Sequence, residues 1–220
     1  MKGGTPRRLA PLFLCLAVLA GAGCAPSRAV LTGPEGDQAM RFFARIEEDA
    51  AFPVQATFSG IARPRGRDAM PFIGGVNASG PASEAVGLYD PMGGAVAFLA
   101  NDGRILTLTR GPNADLAGLR EDARLKAGPV SLGRILSGAP GFPVSGGEAS
   151  RGEDGRWVLA DERQTLYSDP GRRFLEKAEY RVGIVEAMVE YPERSSAGPP
   201  AGITFAVRGL EISLRRDKVR

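Results

Sequence analysis

The sequence contains no histidine and only two cysteines, Cys15 and Cys24. The missing histidine excludes Ser/His/Asp and Cys/His catalytic relays, and every zinc site that uses a histidine ligand. Because both cysteines lie near the N-terminus, the rest of the 220-residue chain can form neither a disulfide nor a thiolate cluster. A hydrophobic core must therefore stabilise the fold, and no metal or cofactor is expected.

Sequence motifs for other chemistry are also missing. The glycine pairs at 74–75 and 146–147 are not followed by the Lys-Ser/Thr helix start of a phosphate-binding loop. The acidic runs at 47–49 and 121–122 are interpreted as solvated helix surfaces rather than acid/base pairs. We therefore predict that the protein is not an enzyme.

The first 23 residues have the pattern of a lipoprotein signal peptide. Lys2, Arg7 and Arg8 precede the apolar run 9–20, which is too short for a membrane span, and small residues lead to Cys24. This pattern predicts lipidation of Cys24 and a tether over 24–34. Gly21 departs from the apolar residue usual three positions before such a cysteine, so cleavage after Ala22 to give a soluble periplasmic protein stays open.

Removal of the signal changes the charge of the chain. Three of the 28 Lys and Arg residues, and none of the 25 Asp and Glu residues, precede Cys24, so the remainder is neutral overall. A neutral domain lacks the positive surface that nucleic acid requires. We expect a monomer that binds no nucleic acid.

Residues 35–220 are predicted to form one domain. The spacing of Ala39, Phe42, Phe43 and Ile46 predicts an amphipathic helix over 35–50. Further helices are predicted over 115–125 and over 131–137, where Ser131 is the N-cap. Strands are predicted from alternation and turn residues over 54–63, 70–78, 83–89, 94–100, 104–109, 156–160, 165–167, 172–181, 184–191, 203–207 and 210–214.

These elements predict an α+β fold that is mainly antiparallel β. We expect a half-open barrel of about 10–11 strands with an apolar cavity covered by about three short helices. A cavity of this kind would suit acyl chains, whereas the same residues could instead fill an ordinary closed core. The predicted lining residues are Phe58, Phe72, Leu88, Phe98, Leu106, Leu132, Ile135, Leu136, Met188 and Phe205.

The order of several short motifs resembles the LolA/LolB superfamily, and within it the LolB-like outer-membrane lipoproteins. Phe-Ser-Gly-Ile-Ala at 58–62 is similar to the first-strand motif of that family, and Leu-Tyr-Asp-Pro-Met-Gly-Gly at 88–94 resembles its Asn-Pro-Leu-Gly turn. The segment 130–138 resembles its short helix, and 189–191, 199–203 and 210–214 resemble its closing strands. The resemblance covers residues 35–219.

The resemblance implies a protein of the outer membrane that binds the acyl chains of other lipoproteins, received from a periplasmic LolA-like carrier, and helps insert them into outer-membrane lipid. It also implies that the turn of Pro91, Met92 and Gly93 enters the bilayer, because Met92 matches an exposed leucine of that family. Ala25 differs from the aspartate that retains lipoproteins at the inner membrane. A structural or complex-forming envelope lipoprotein of the same fold, with no carrier role, stays open as the alternative.

Overall fold

The computed structural model describes residues 28–50, 52–113, 122–126, 128–183, 185–192, 194, 198–207 and 210–217. Within them, helix α1 covers Gly33–Glu48 and helix α2 covers Leu132–Leu136. The strands are β1 Ala29–Val30, β2 Val54–Pro64, β3 Met70–Gly80, β4 Ser83–Tyr89, β5 Ala95–Asn101, β6 Ile105–Arg110, β7 Ala123–Lys126, β8 Glu148–Arg151, β9 Trp157–Ala160, β10 Gln164–Ser168, β11 Leu175–Val182, β12 Val185–Glu190, β13 Gly202–Val207 and β14 Leu210–Arg216.

All the strands belong to one antiparallel sheet. Two meanders, β2 to β7 and β8 to β14, are joined where β14 pairs with β2, from Leu210 opposite Pro64 to Arg216 opposite Phe58. β1 pairs with β8 at one edge of the sheet, and β7 forms the other edge. The sheet is therefore continuous and open.

The predicted fold class was wrong in its strand and helix counts. The sheet has 14 strands instead of 10–11, and the described residues contain two helices instead of three. The three strands that the sequence patterns missed, β1, β7 and β8, have only two to four residues each. Such short segments cannot display the alternation that marks a strand, and pairing with a neighbour forms them instead.

The helix predicted over 115–125 illustrates this difference. Ala123–Lys126 is strand β7, paired with β6 through Ile105 opposite Lys126 and Leu108 opposite Ala123. The earlier part of that prediction, residues 115–121, lies outside the described residues.

The two faces of the sheet differ in burial. Along β2, Val54, Phe58 and Ala62 are buried while their neighbours on the other side are exposed, as a period of two residues requires. Both helices pack on the face of Phe58, which we call the helix-covered face; the opposite side is the outer face. The buried side chains concentrate between the helices and the helix-covered face.

Helix α1 covers strands β8 and β9. Its buried residues Ala39, Phe42, Phe43 and Ile46 form one stripe, and the Phe42 ring contacts the Trp157 ring edge-on with centroids 5.6 Å apart. Glu35 lies in the first turn, where the helix dipole favours a negative charge. None of the helices among the described residues is long and apolar enough to span a membrane.

Candidate functional site

Met92 projects from the turn that joins β4 to β5. Its side chain is 93% exposed, the largest exposed fraction among the large hydrophobic residues of the described chain. An apolar side chain of this size normally gains about 1.5–3 kcal/mol from burial. Burial of the Met92 side chain in an apolar environment outside the molecule would therefore be favourable.

The Asp90 carboxylate fixes the backbone of this turn. Oδ1 accepts hydrogen bonds from the Met92 N–H at 2.8 Å and the Gly94 N–H at 2.9 Å. Oδ2 accepts from Asn113 Nδ2 at 2.5 Å. These bonds favour the ionised carboxylate and lower the pKa of Asp90, with the Asn113 bond as the largest cause.

Backbone geometry explains the two glycines of the turn. Gly93 has φ 88°, in the left-handed region that glycine adopts without a steric penalty. A Cβ at Gly94 would overlap the side chains of Asn113 and Asp90. Because both glycines serve the turn geometry, Met92 is held outward by a defined structure rather than by a loose loop.

An apolar strip on the outer face continues from this turn. Tyr89, the last residue of β4, pairs with Ile73 of β3, which is 44% exposed. The Tyr89 ring also contacts the ring of Phe98, 41% exposed, edge-on at 6.0 Å. Ile73, Tyr89 and Phe98 thus form an apolar group beside the start of the Met92 turn, and we call these three residues together with Met92 the turn patch.

The residues predicted to line an acyl cavity occupy both faces of the sheet. Strand register places Phe98 on the outer face with Gly75 and Gly87, and places Met188 there with Glu179. The other strand residues of that set lie on the helix-covered face, and the remaining three belong to α2. The helix-covered members are Phe58, Phe72, Leu88, Leu106 and Phe205, and those of α2 are Leu132, Ile135 and Leu136. Their role toward acyl chains stays a prediction.

Between α2 and the sheet the side chains are closely packed. The space bounded by Phe58, Leu136, Ile203 and Leu214 has a volume of about 20 Å³. That is about enough for one water molecule. A space of this size cannot hold an acyl chain.

Glu84 attaches α2 to the sheet. It is 5% exposed and lies at the start of β4 on the helix-covered face. Its Oε1 accepts from the Ser131 hydroxyl and the Gly133 N–H, and its Oε2 accepts from the Leu132 N–H and Asn101 Nδ2. The carboxylate thus binds the free N–H groups at the start of the helix.

Two buried tyrosines hold the other end of this region. Tyr191 donates its hydroxyl to the Ile135 carbonyl at 2.9 Å, and the Tyr180 hydroxyl accepts from the Gly141 N–H at 3.0 Å. Burial raises the pKa of both hydroxyls, because the phenolate is poorly solvated there. A further contact joins Arg134 of α2 to Glu47 of α1 at 2.7 Å.

Sequence patterns identified some of these residues and missed others. Ser131 was predicted as the N-cap, and its Oγ accepts from the Arg134 N–H. Glu84 was missed, although a glutamate in register with inward-facing Val86 is a recognisable signal. Asn113 was missed because no local pattern connects it with Asp90, 23 residues earlier. Cys24 lies outside the described residues.

The chain has low similarity to several solved structures. Neither a protein-family model nor a curated protein matches its sequence. A LolA superfamily protein from Nitrosomonas europaea has 13% identity and a TM-score of 0.47, covering 83% of this chain and 92% of its own. A domain assigned as an outer membrane lipoprotein-sorting protein, from Vibrio parahaemolyticus, has 10% identity and a TM-score of 0.45, covering 84% and 92%.

A DUF1329 family protein from Desulfovibrio piger has 10% identity and a TM-score of 0.45, covering 86% of this chain and 93% of its own. None of the three is described as a LolB protein. At these identities and TM-scores the similarities carry no argument about what this chain binds. Its function has to be inferred from its own residues.

Proposed function

We propose that the protein is a lipid-anchored protein of the outer membrane that receives the acyl chains of other lipoproteins from a periplasmic LolA-like carrier and helps insert them into the bilayer. The observation that supports this proposal is the Met92 turn. It presents a 93% exposed apolar side chain on a backbone fixed by Asp90. Lipidation of Cys24 would keep that turn close to the membrane.

The turn is suited to entering a bilayer for a physical reason. Methionine is unbranched and adaptable, so it packs among acyl chains without a specific partner. The hydrogen bonds to Asp90 order the backbone in advance, and insertion then loses little conformational entropy. Differential affinity for acyl chains among carrier, protein and membrane would drive transfer, and the proposal requires no covalent chemistry.

Acyl chains would enter between α2 and strands β2 and β3. This requires α2 to move, because the packed interior has about 20 Å³ of free space beside Phe58 and Leu136. The helix has only five residues, and it is attached by its packed apolar side chains, by the hydrogen bonds to Glu84 and from Tyr191, and by the ion pair of Arg134 with Glu47. In this proposal, Leu132, Ile135 and Leu136 separate from the sheet and then cover the bound chains.

The small interior volume favours a second candidate function. With the interior filled as it is here, the chain would be a structural or complex-forming envelope lipoprotein whose turn patch binds a protein partner. This candidate requires no movement of α2 and no acyl cargo.

Loading with cargo distinguishes the two candidates. A labelled triacylated lipoprotein is offered on its periplasmic carrier, and the label that moves to this protein is measured, together with displacement of a hydrophobic fluorescent probe. The first candidate predicts transfer of the label and displacement of the probe by the lipoprotein. If the label is not transferred and the probe is not displaced, while the same carrier delivers to a known receptor, the first candidate is contradicted and the second remains.

A further inference from the structure

We propose that a cationic pocket beside helix α1 binds a phosphate group. The pocket has a volume of about 470 Å³ and is lined by Gln38, Arg41, Phe42, Arg45, Trp157 and Arg172. It lies between α1, β9 and the turn that follows β10, and it shares no lining residue with the Met92 turn or with the space under α2. The inference is therefore independent of the proposed function.

Two of its arginines come from α1. Arg41 and Arg45 are four residues apart, so they lie on the same side of the helix, where like charges repel. Both are exposed, and neither guanidinium group has a hydrogen bond or ion pair to any described residue. Asp37 and Glu48 of α1, and Asp49 directly after it, are within four residues of these arginines in sequence but do not pair with them. The guanidinium donors of Arg41 and Arg45 are thus available to a ligand.

The third arginine enters the pocket from the turn between β10 and β11. Arg172 is the one non-glycine residue of the described chain with a left-handed backbone, at φ 54°. Such a conformation is sterically unfavourable for a residue with a Cβ atom. It places the guanidinium over the Trp157 ring, 4.4 Å from the centroid, and within 3.2 Å of the Gly155 carbonyl. The unfavourable backbone conformation of Arg172 thus orients its guanidinium group.

Asp169 maintains this turn. Its Oδ1 accepts from the Phe174 N–H at 2.9 Å, its Oδ2 accepts from the Gly171 N–H at 3.1 Å, and its carbonyl accepts from the Arg172 N–H at 2.9 Å. The buried carboxylate is fully engaged by the turn. It therefore holds Arg172 in place without lying in the pocket.

Among the described residues, no acidic side chain lines the pocket. Glu35, on which the Arg172 charge acts, is paired with Arg151. The hydrogen bond from Arg151 is the main cause that lowers the pKa of Glu35, and the Arg172 charge acts in the same direction. Glu35 thus reduces the positive potential at one side of the pocket, whereas Arg41 and Arg45 remain without a counter-charge.

Guanidinium chemistry indicates the class of ligand. Each arginine presents a planar pair of N–H donors that matches two oxygens of a phosphate, and three of them around one space match its several oxygens. The floor of Phe42 and Trp157 is apolar and largely buried. Because Phe42 is 5% and Trp157 is 3% exposed, the guanidinium groups, and not the rings, contact the phosphate group in this proposal.

The position of Trp157 gives a direct experiment, because it is the single tryptophan of the chain. Tryptophan emission of the mature protein is titrated with inorganic phosphate, with vesicles of phosphatidylglycerol, and with vesicles of phosphatidylcholine, and binding heat is measured in parallel. We expect a saturable response to phosphate or to phosphatidylglycerol vesicles that exceeds the response to phosphatidylcholine. A response to inorganic phosphate identifies a free anion, and one confined to phosphatidylglycerol vesicles identifies a headgroup.

Matched variants assign the response to this pocket. The double variant Arg41→Gln/Arg45→Gln should weaken apparent affinity at least tenfold. Arg172→Gly should weaken it similarly; the tolerance of glycine for the left-handed backbone offsets part of the stability lost with the Trp157 and Gly155 contacts. The control Arg65→Gln/Arg67→Gln removes the same charge from the exposed β2–β3 turn and should bind like the wild type. Absence of both emission change and binding heat, or equal affinity in all variants, would overturn the proposal.

Discussion

The Ser131 hydroxyl donates a hydrogen bond to Glu84 Oε1 over 2.5 Å, although the two residues are 47 positions apart. Ser131 is the N-cap of α2, and Glu84 begins β4. This contact, with the N–H groups of Leu132 and Gly133 on the same carboxylate, joins the short helix to the sheet. Five residues are too few for an independently stable helix, so the sheet has to supply the stability of α2.

Replacement of Glu84 should weaken both the fold and the attachment of α2. In Glu84→Gln one acceptor oxygen becomes an amide donor, which leaves buried N–H groups without acceptors and destabilises by about 2–4 kcal/mol. Urea unfolding measures the change. The control Glu211→Gln, at an exposed residue paired with Arg63, should shift the free energy of unfolding by less than about 1 kcal/mol. Equal changes in the two variants would contradict the role of Glu84.

Two adjacent glycines of β3 test how tightly the interior is packed. A methyl group at Gly74 would overlap the ring of Phe58 on the helix-covered face, while one at Gly75 would meet no atom on the outer face. We expect Gly74→Ala to destabilise by about 1–3 kcal/mol through overpacking. Gly75→Ala should be neutral or slightly stabilising, because it lowers the entropy of the unfolded chain. Tolerance of Gly74→Ala, measured by the same unfolding, would indicate a loosely packed interior.

The Asp90 carboxylate should make the stability of the protein sensitive to acid. Its pKa in the folded state is lowered, chiefly by Asn113, so its stabilising contribution is complete above the unfolded value of about 4 and is lost as pH falls through the folded value. The difference in thermal midpoint between wild type and Asp90→Asn should therefore narrow from pH about 5 to pH about 2. In an Asn113→Ala background the same difference in thermal midpoint should narrow at a higher pH, because the main cause of the lowered Asp90 pKa is then absent. A difference independent of pH would contradict this assignment.

The sequence predicted the longer elements because their patterns are local. Helix α1, with its stripe of Ala39, Phe42, Phe43 and Ile46, was predicted over 35–50 and is observed over Gly33–Glu48. Strand β4 was predicted with its observed bounds, Ser83–Tyr89. Strands such as β8 have no such pattern, because their conformation depends on partners distant in the sequence.

The face that a residue occupies was less predictable. Strand β5, Ala-Val-Ala-Phe-Leu-Ala-Asn, is apolar at six consecutive positions, so alternation could not place Phe98, and the register with β4 decides it. The filled space around Leu136 was equally unpredictable, because the sequence patterns fit both an open cavity and a filled core. The fixed turn at Met92 depends on Asn113, whose contribution no local motif indicates.

Delivery of cargo by Met92 variants tests the central claim most directly. The protein is first loaded with a labelled lipoprotein, and release of the label into liposomes is then measured for the wild type, Met92→Glu and Met92→Leu. We expect all three to load equally, Met92→Leu to deliver like the wild type, and Met92→Glu to deliver at least tenfold more slowly, because a carboxylate resists entering hydrocarbon. Delivery by Met92→Glu at the wild-type rate would contradict insertion of this turn into the membrane.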